Sequence, residues 1–359
     1  MGPSAAELLG RLARRTRAYD FTVWFWGDAI AIDGLLEAAE LVGDKEASAH
    51  AERFLRRPAA PLGWRDHLAP GDALLRLAAV TDDPAPLEQA RRLADHLLGV
   101  PRAEDAPLYR PDDPRYRHTV WVDSIYHVPP FLARLAGMTG EGRWYDAALA
   151  EQAAHLRVLT PAGSPFPAHA YDTGARSIHG PGWGRGVGWA LLGMVDTLSV
   201  IPADHPGHDE AQAELRALAE EVLALQDSTG CWRTVIDDRE AYLESSTAAM
   251  FCAAFTKGVR TGVLDGRFAA AAEDAWRYTE ARIDQDGSFW GVSACTWAST
   301  AGAEDAAMYR TLPTEVNVWG QGAAMRAAAE RLRTLEALGP LDAKAGNSTA
   351  DAPSLQTSH

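Results

Sequence analysis

About twelve stretches of this chain repeat apolar residues at helical spacing, and the connections between them alternate in character. That alternation is the strongest constraint on the fold. The stretches lie near 4–17, 26–42, 44–56, 66–81, 84–98, 122–138, 141–158, 184–200, 206–227, 241–261, 265–283 and 313–336, and strand-like alternation is almost absent. Ala, Leu, Glu and Arg dominate them, all strong helix formers. One set of connections is short, reading ELVGDKEAS, AAVTDDPAP, AGMTGEGRW, VIPADHPGHDE and VRTGVLDGRF, so that each makes its two helices antiparallel neighbours. The other set is longer, PLGWRDHLAPG, RPDDPRYRHTVWVDS, HGPGWGRGVGW, IDDREAYLESS and LPTEVNVWGQG, and nearly all of these contain Trp or Tyr with Asp, Glu or Arg. If helices alternate in direction, the second set gathers at one end, where a rigid scaffold presents its functional loops. The pattern predicts an all-α chain, an (α/α)6 barrel of six helical hairpins in a single domain over 1–338. The stretch 284–300 breaks the helical period and is expected to be irregular or a short β insertion. The tail 339–359 has no apolar periodicity and is expected to be disordered.

Hydrophobic residues make up 47% of the chain and charged ones 23%, enough to build a sizeable core in a soluble globular protein. The net charge of −15, with no extended basic tract, excludes nucleic acid and anionic membrane as natural partners. An acidic ligand would be repelled at long range, so a site for one has to be locally positive. Cys231, Cys252 and Cys295 are isolated and odd in number, which fits a reducing compartment, the cytoplasm. Arg11, Arg14, Arg15 and Arg17 beside Leu8, Leu9 and Leu12 read as an amphipathic helix and not as a signal peptide. No stretch has the uninterrupted apolar length of a membrane span. The sequence carries no signal for oligomeric state.

The densest chemistry lies in 166–189, FPAHAYDTGARSIHGPGWGRGVGW. Gly180, Gly182, Gly184, Gly186 and Gly188 remove side chains at alternate positions, which suits a sharp turn and the close approach of a ligand. Between them stand Trp183, Arg185 and Trp189, two flat apolar faces and a forked cation, a set suited to a sugar acid. Asp123, in VWVDS, is a helix N-cap by position or a carboxyl walled by Trp121 and apolar neighbours, an environment that raises its pKa. Asp66, in WRDH, is a second Asp at a helix start on the same end, and two carboxyls facing one pocket can divide acid and polarising roles. His169 lies in a loop, either structural or part of the site. Asp237 and Asp238 read as a solvated turn. The eleven histidines include no pair at four-residue spacing with a third ligand, so no metal is expected. Acyl transfer, NTP hydrolysis and hydride transfer lack their motifs.

Taken together, WVDS at 121–124, HAYD at 169–172, WGRGVGW at 183–189, DHLAPG at 66–71, LESSTAAMF at 243–251 and VWGQGA at 318–323 resemble glycoside hydrolase families 88 and 105, the unsaturated glucuronyl and rhamnogalacturonyl hydrolases. The resemblance spans roughly 20–335. It implies an (α/α)6 barrel, no metal or cofactor, and a small oligosaccharide substrate ending in a 4,5-unsaturated uronic acid, as polysaccharide lyases leave it. It implies that Asp123 protonates C4 of the enol ether and helps water add at C5, and that Asp66 holds ring hydroxyls as the second carboxylate. By the same resemblance His169, Trp183, Arg185, Trp189 and Trp26 bind the uronate. At LYRPDDPRYRHT, 108–119, the chain departs from a Gly- and His-containing segment of the rhamnogalacturonyl hydrolases, and His118 is the candidate replacement there. An inverting glycosidase acting at C1 of a saturated sugar, and a non-catalytic sugar-binding barrel, stand as alternatives.

Overall fold

The computed structural model describes residues 2–21, 26–57, 70–108, 116–296 and 306–342, without the side chains of 306 and 338–342. Its helices are α1 (Ala5–Thr16), α2 (Trp26–Val42), α3 (Lys45–Leu55), α4 (Gly71–Val80), α5 (Ala85–Gly99), α6 (Ser124–His127), α7 (Pro129–Thr139), α8 (Arg143–Leu159), α9 (Gly184–Leu198), α10 (His208–Ala224), α11 (Ser245–Thr261), α12 (Ala269–Glu280), α13 (Ala306–Thr311) and α14 (Val318–Asp342). Local chemistry fixes their ends. A capping box starts α1, with Glu7 N donating to Ser4 Oγ at 3.2 Å and Ser4 N to Glu7 Oε2 at 2.7 Å. Asp44 caps α3, and Gly140 and Gly262 end α7 and α11 in the left-handed conformation that glycine adopts without strain.

Six helices form an inner ring, each packed on its two neighbours: α2 on α4, α4 on α7, α7 on α9, α9 on α11, α11 on α14, and α14 back on α2. The outer layer is α1, α3, α5, α8, α10 and α12, each packed against the inner helix it precedes or follows. This is the (α/α)6 barrel that the alternating connections demand. Burial follows the layers: every residue of α9 is buried, whereas α3 and α10 bury only a stripe. The inner helices share one direction, so the short turns lie at one end and the long aromatic loops at the other.

The structure departs from the sequence expectations at α6, at α13 and at the end of α14. The 122–138 stretch is two helices, because Pro129 and Pro130 remove two backbone donors at their junction. The helix expected over 66–81 is described from Gly71, since 58–69 lie outside the described residues. As expected, the 284–300 stretch contributes a short strand, β6 (Val292–Ser293), which pairs with β7 (Thr314–Glu315); α13, between them, is unexpected. Last, α14 runs on to Asp342, and the rest of the tail lies outside the described residues. The remaining strands are β1 (Arg102–Ala103) with β2 (Ala106–Pro107), and a three-stranded antiparallel sheet, β3 (Thr119–Trp121), β4 (Ala170–Asp172) and β5 (Ser177–His179).

Below the loop end, the ring is tied by a layer of buried charges. Arg326 of α14 donates to both carboxylate oxygens of Asp196 of α9 at 3.0 and 2.8 Å, and Lys257 of α11 reaches the same carboxylate at 2.5 Å. Glu37 of α2 pairs with Arg333 at 3.2 Å and with Arg76 of α4 at 3.3 Å. Arg76 also donates to Asp72 at 2.9 Å, and Arg134 of α7 pairs with Asp72 as well. All six inner helices contribute.

Candidate active site

Asp123 is delivered by the three-stranded sheet. Trp121 lies opposite Ala170, and Val122 N donates to the His169 carbonyl at 3.0 Å, so the two site motifs are joined through their backbones. The chain then turns into the single helical turn α6. Asp123 occupies its N-cap position with φ −53° and ψ −31°, but its side chain makes no capping hydrogen bond. Instead Asp123 Oδ2 lies 3.7 Å from His169 Nε2.

His169 is buried and held on several sides. Its Nδ1 lies 2.9 Å from the Tyr309 hydroxyl, and its ring packs edge-on to Trp121 at 5.1 Å and tilted against Trp183 at 4.1 Å. Burial lowers its pKa well below the ordinary histidine value, and Arg185 and His179 add to the effect. The imidazole is therefore neutral, and its approach to Asp123 is that of a polar neighbour and not of an ion pair. A neutral ring offers one donor and one acceptor, and Tyr309 and Asp123 face the two nitrogens.

Arg185, only 1% exposed, sits in the first turn of α9. Its Nη1 donates to the Ser293 carbonyl at 2.9 Å and to Ser293 Oγ, and its Nη2 donates to the Ala294 carbonyl at 3.0 Å. The guanidinium lies over the Trp183 ring at 4.6 Å and 3.7 Å from Glu244 Oε1. Glu244 in turn accepts from Ser293 N at 2.6 Å, Ser246 Oγ at 2.6 Å and Thr247 N at 3.0 Å. Burial lowers the Arg185 pKa and Glu244 and Asp123 oppose the shift. The cation thus fastens the β6 segment to the barrel.

The aromatic residues form a continuous wall. Trp189 packs on Trp26 at 6.2 Å, on Tyr126 at 5.0 Å and on His127 at 5.8 Å, and Trp26 packs on Trp319 at 5.3 Å. Trp26 and Trp121 are partly open, whereas Trp183 and Trp189 are fully buried. Trp183 Nε1, Trp189 Nε1 and Arg185 Nε are buried donors with no hydrogen-bond partner among the described residues. Such donors in a native interior call for an explanation. The N-terminal ends of α2, α9, α11 and α14 also lie here, at Trp26, Gly184, Ser245 and Val318, each carrying roughly half a positive charge from its peptide dipoles. These ends and Arg185 are the sources of positive potential at this end, with Glu244 beside the cation.

The structure therefore brings Trp26, Asp123, His169, Trp183, Arg185 and Trp189 to one end of the barrel. Asp66 lies outside the described residues. His118 is exposed, beyond the opposite end of β3 from Asp123, where its carbonyl accepts from Thr173 N. The glycines act differently from the sequence expectation. Gly180 and Gly182 do turn the chain at φ +60° and +65°, but Gly184, Gly186 and Gly188 lie in α9 and admit the Arg233 carbonyl, the Trp183 ring and Met250, parts of the protein itself. Sequence reasoning missed Tyr309, Trp319 and Glu244. LESSTAAMF and VWGQGA did contain the last two, but Tyr309 lies in a six-residue helix too short to show a period. Among the described residues no three His, Cys, Asp or Glu side chains gather as a metal site requires, and no helix is long and apolar enough to cross a membrane.

A helical-hairpin barrel with a carboxyl, a neutral histidine and a wall of indoles at its loop end has the parts that a sugar-binding site uses. Residues 11–335 match the model of Glycosyl Hydrolase Family 88, and the chain belongs to that family. It is 28% identical over 349 residues to the unsaturated rhamnogalacturonyl hydrolase YesR of Bacillus subtilis, covering 92% of this chain and 96% of that one. In fold it is similar to a family 105 glycoside hydrolase from C. acetobutylicum (TM-score 0.79, 22% identity, 92% and 99% of the two chains). It is likewise similar to the unsaturated glucuronyl hydrolase of Bacillus sp. GL1 (TM-score 0.67, 18% identity, 91% and 96%).

Proposed function

We propose that this chain removes 4,5-unsaturated uronic acid from the non-reducing end of lyase-generated oligosaccharides, as a cytoplasmic enzyme. The observation that carries the reading is Asp123: a buried carboxyl at a helix N-cap that does not cap, turned toward a neutral histidine, in a family 88 chain. Asp123 gives its proton to C4 of the enol ether. Positive charge develops at C5 and its ring oxygen, water adds at C5, and the Asp123 carboxylate takes up the proton that water loses. The C5 hemiketal then opens to a ketone, and the hemiacetal left at C1 expels the remaining sugar. His169 orients the carboxyl, and Asp66 is proposed as the second carboxylate that holds ring hydroxyls. Trp183, Arg185 and Trp189 are proposed to line the uronate site, and the partly open face of Trp26 suits the sugar ring. His118 is the proposed contact to the leaving sugar.

The test is a screen of lyase products from pectin, rhamnogalacturonan, arabinogalactan and glycosaminoglycans, read as loss of the conjugated double bond's ultraviolet absorbance. The likeness to YesR makes the rhamnogalacturonan product the expected best substrate. On that substrate Asp123→Asn should lower kcat by about 10²–10⁴-fold, the usual contribution of a general acid–base, with the melting temperature preserved. Release from saturated nitrophenyl glycosides, or more than a tenth of wild-type turnover in Asp123→Asn, would overturn the reading.

A further inference from the structure

The turn that carries Asp123 is a single one, so its place depends on what it packs against. Helix α6 has four residues, and Pro129 and Pro130 follow at the start of α7, so the hydrogen-bond ladder that would stiffen the junction lacks two donors. On its other side the backbone is held by Val122 N on the His169 carbonyl. Tertiary contacts to α9 and α2 add to this. Gly193 of α9 lies so close that a Cβ there would fall on the Ile125 carbonyl and 2.8 Å from Tyr126 Cα. From the opposite side, the Tyr126 hydroxyl donates to Asp33 Oδ2 of α2 at 3.1 Å. The Tyr126 ring is itself fixed between Trp189 at 5.0 Å and the Arg326 guanidinium at 6.0 Å.

We propose that Asp33 and Tyr126 are a positioning pair: Asp33, through the Tyr126 hydroxyl, ties α6 to α2 across its seat on α9 and so sets where the Asp123 carboxyl stands relative to His169 and to C4 of the substrate. Neither residue touches the reacting atoms. The inference rests on the reading of Asp123 as the acid. A 1 Å displacement of a catalytic group can cost 10²-fold in rate, so a single hydrogen bond in this place has kinetic weight.

The surroundings of Asp33 make the pair sensitive to pH. Asp33 is 3% exposed, and its Oδ1 has no hydrogen-bond partner among the described residues. Burial, with Asp72 of α4 and Glu37 of its own helix, raises its pKa to about 7 against the pull of Arg76 of α4 and Arg326 of α14. Asp196 of α9 completes the charges around the pair, and burial keeps Tyr126 protonated and therefore a donor. The ionised form of Asp33 accepts the stronger bond.

The experiment is a double-mutant cycle of Asp33→Asn and Tyr126→Phe, with kcat and KM measured from pH 5 to 9 on the best unsaturated disaccharide. Tyr126→Phe removes one oxygen and no charge, so it should fold, lowering kcat about tenfold with KM within about twofold of wild type. Asp33→Asn keeps an acceptor and should lose less than Asp33→Leu, and the kcat inflection near pH 7 should vanish in it. The double variant should lose little more than Tyr126→Phe alone. Wild-type kcat in Tyr126→Phe, or additive losses, would overturn the pairing. Failure of the underlying reading shows separately, as activity retained in Asp123→Asn.

Discussion

Replacing Arg185 by Lys keeps the charge opposite Glu244 but removes the fork. In the native protein Nη1 and Nη2 serve two successive carbonyls, Ser293 at 2.9 Å and Ala294 at 3.0 Å, and Nη1 also serves Ser293 Oγ. A lysine ends one atom short and presents a single nitrogen, which can keep one carbonyl at best. Hydrogen bonds to charged groups are worth about 1.5–3 kcal/mol each, so losing one or two of them in a site this buried should cost about 2–5 kcal/mol. At roughly 2–4 °C per kcal/mol for large domains, the melting temperature should fall by about 5–15 °C. The β6 segment also carries the backbone N–H that Glu244 binds, so loosening it disturbs the pocket wall, and kcat/KM on the unsaturated disaccharide should drop at least tenfold. Calorimetry and steady-state kinetics on the same preparation check both. A melting temperature within a degree of wild type would refute the account of Arg185 as the fastener of β6. Intact kcat/KM beside a lowered melting temperature would refute its tie to the pocket.

Tyr309→Phe deletes the hydroxyl on His169 Nδ1 and should reduce kcat about three- to tenfold with little change in stability, measurable by steady-state kinetics. Gly193→Ala puts a methyl group on the Ile125 carbonyl and should destabilise the fold by about 1–3 kcal/mol, as overpacking does, read from the urea midpoint. Acid should unfold the protein cooperatively. Burial disfavours ionisation of Glu37, Asp72 and Asp196, but Arg326 and Arg333 at Glu37, Arg134 and Arg76 at Asp72, and Arg326 and Lys257 at Asp196 outweigh it and lower all three pKa values. Their stabilisation is full above the ordinary carboxylate range near pH 4 and is lost as pH falls through the lowered values. A denaturation midpoint independent of pH below 4 would contradict this.

The ring was legible because it depends on period and loop character, which every hairpin repeats. Asp123 and His169 were legible because each lies in a short motif rich in chemistry, and the sheet pairing then brings them together. What escaped depends on distance across the barrel. Arg185 reads as a ligand for an acid, yet most of its donors serve Ser293 and Ala294, more than a hundred residues away, and nothing local to WGRGVGW reports that. The glycines read as room for a ligand, when several of them are room for Arg233, Trp183 and Met250. Asp33 and Tyr126 lie on apolar helical faces where they look like isolated exceptions, and only the closed ring shows that they meet.

The layer of buried charges has a consequence for synthesis. Glu37, Asp72 and Asp196 are made long before Arg326 and Arg333, the cations of α14 that pair with Glu37 and Asp196. Helix α14 also supplies the contacts that shut the ring against α2 and pack on α1. A nascent chain lacking α14 is thus an open arc in which Asp196 keeps Lys257 and Glu37 keeps Arg76 but both lack the cations of the last turn of the ring, and an acid short of partners stays hydrated. A product that stops before residue 326 therefore lacks the Arg326 bond to Asp196 and the packing of α14 on α2 that closes the ring.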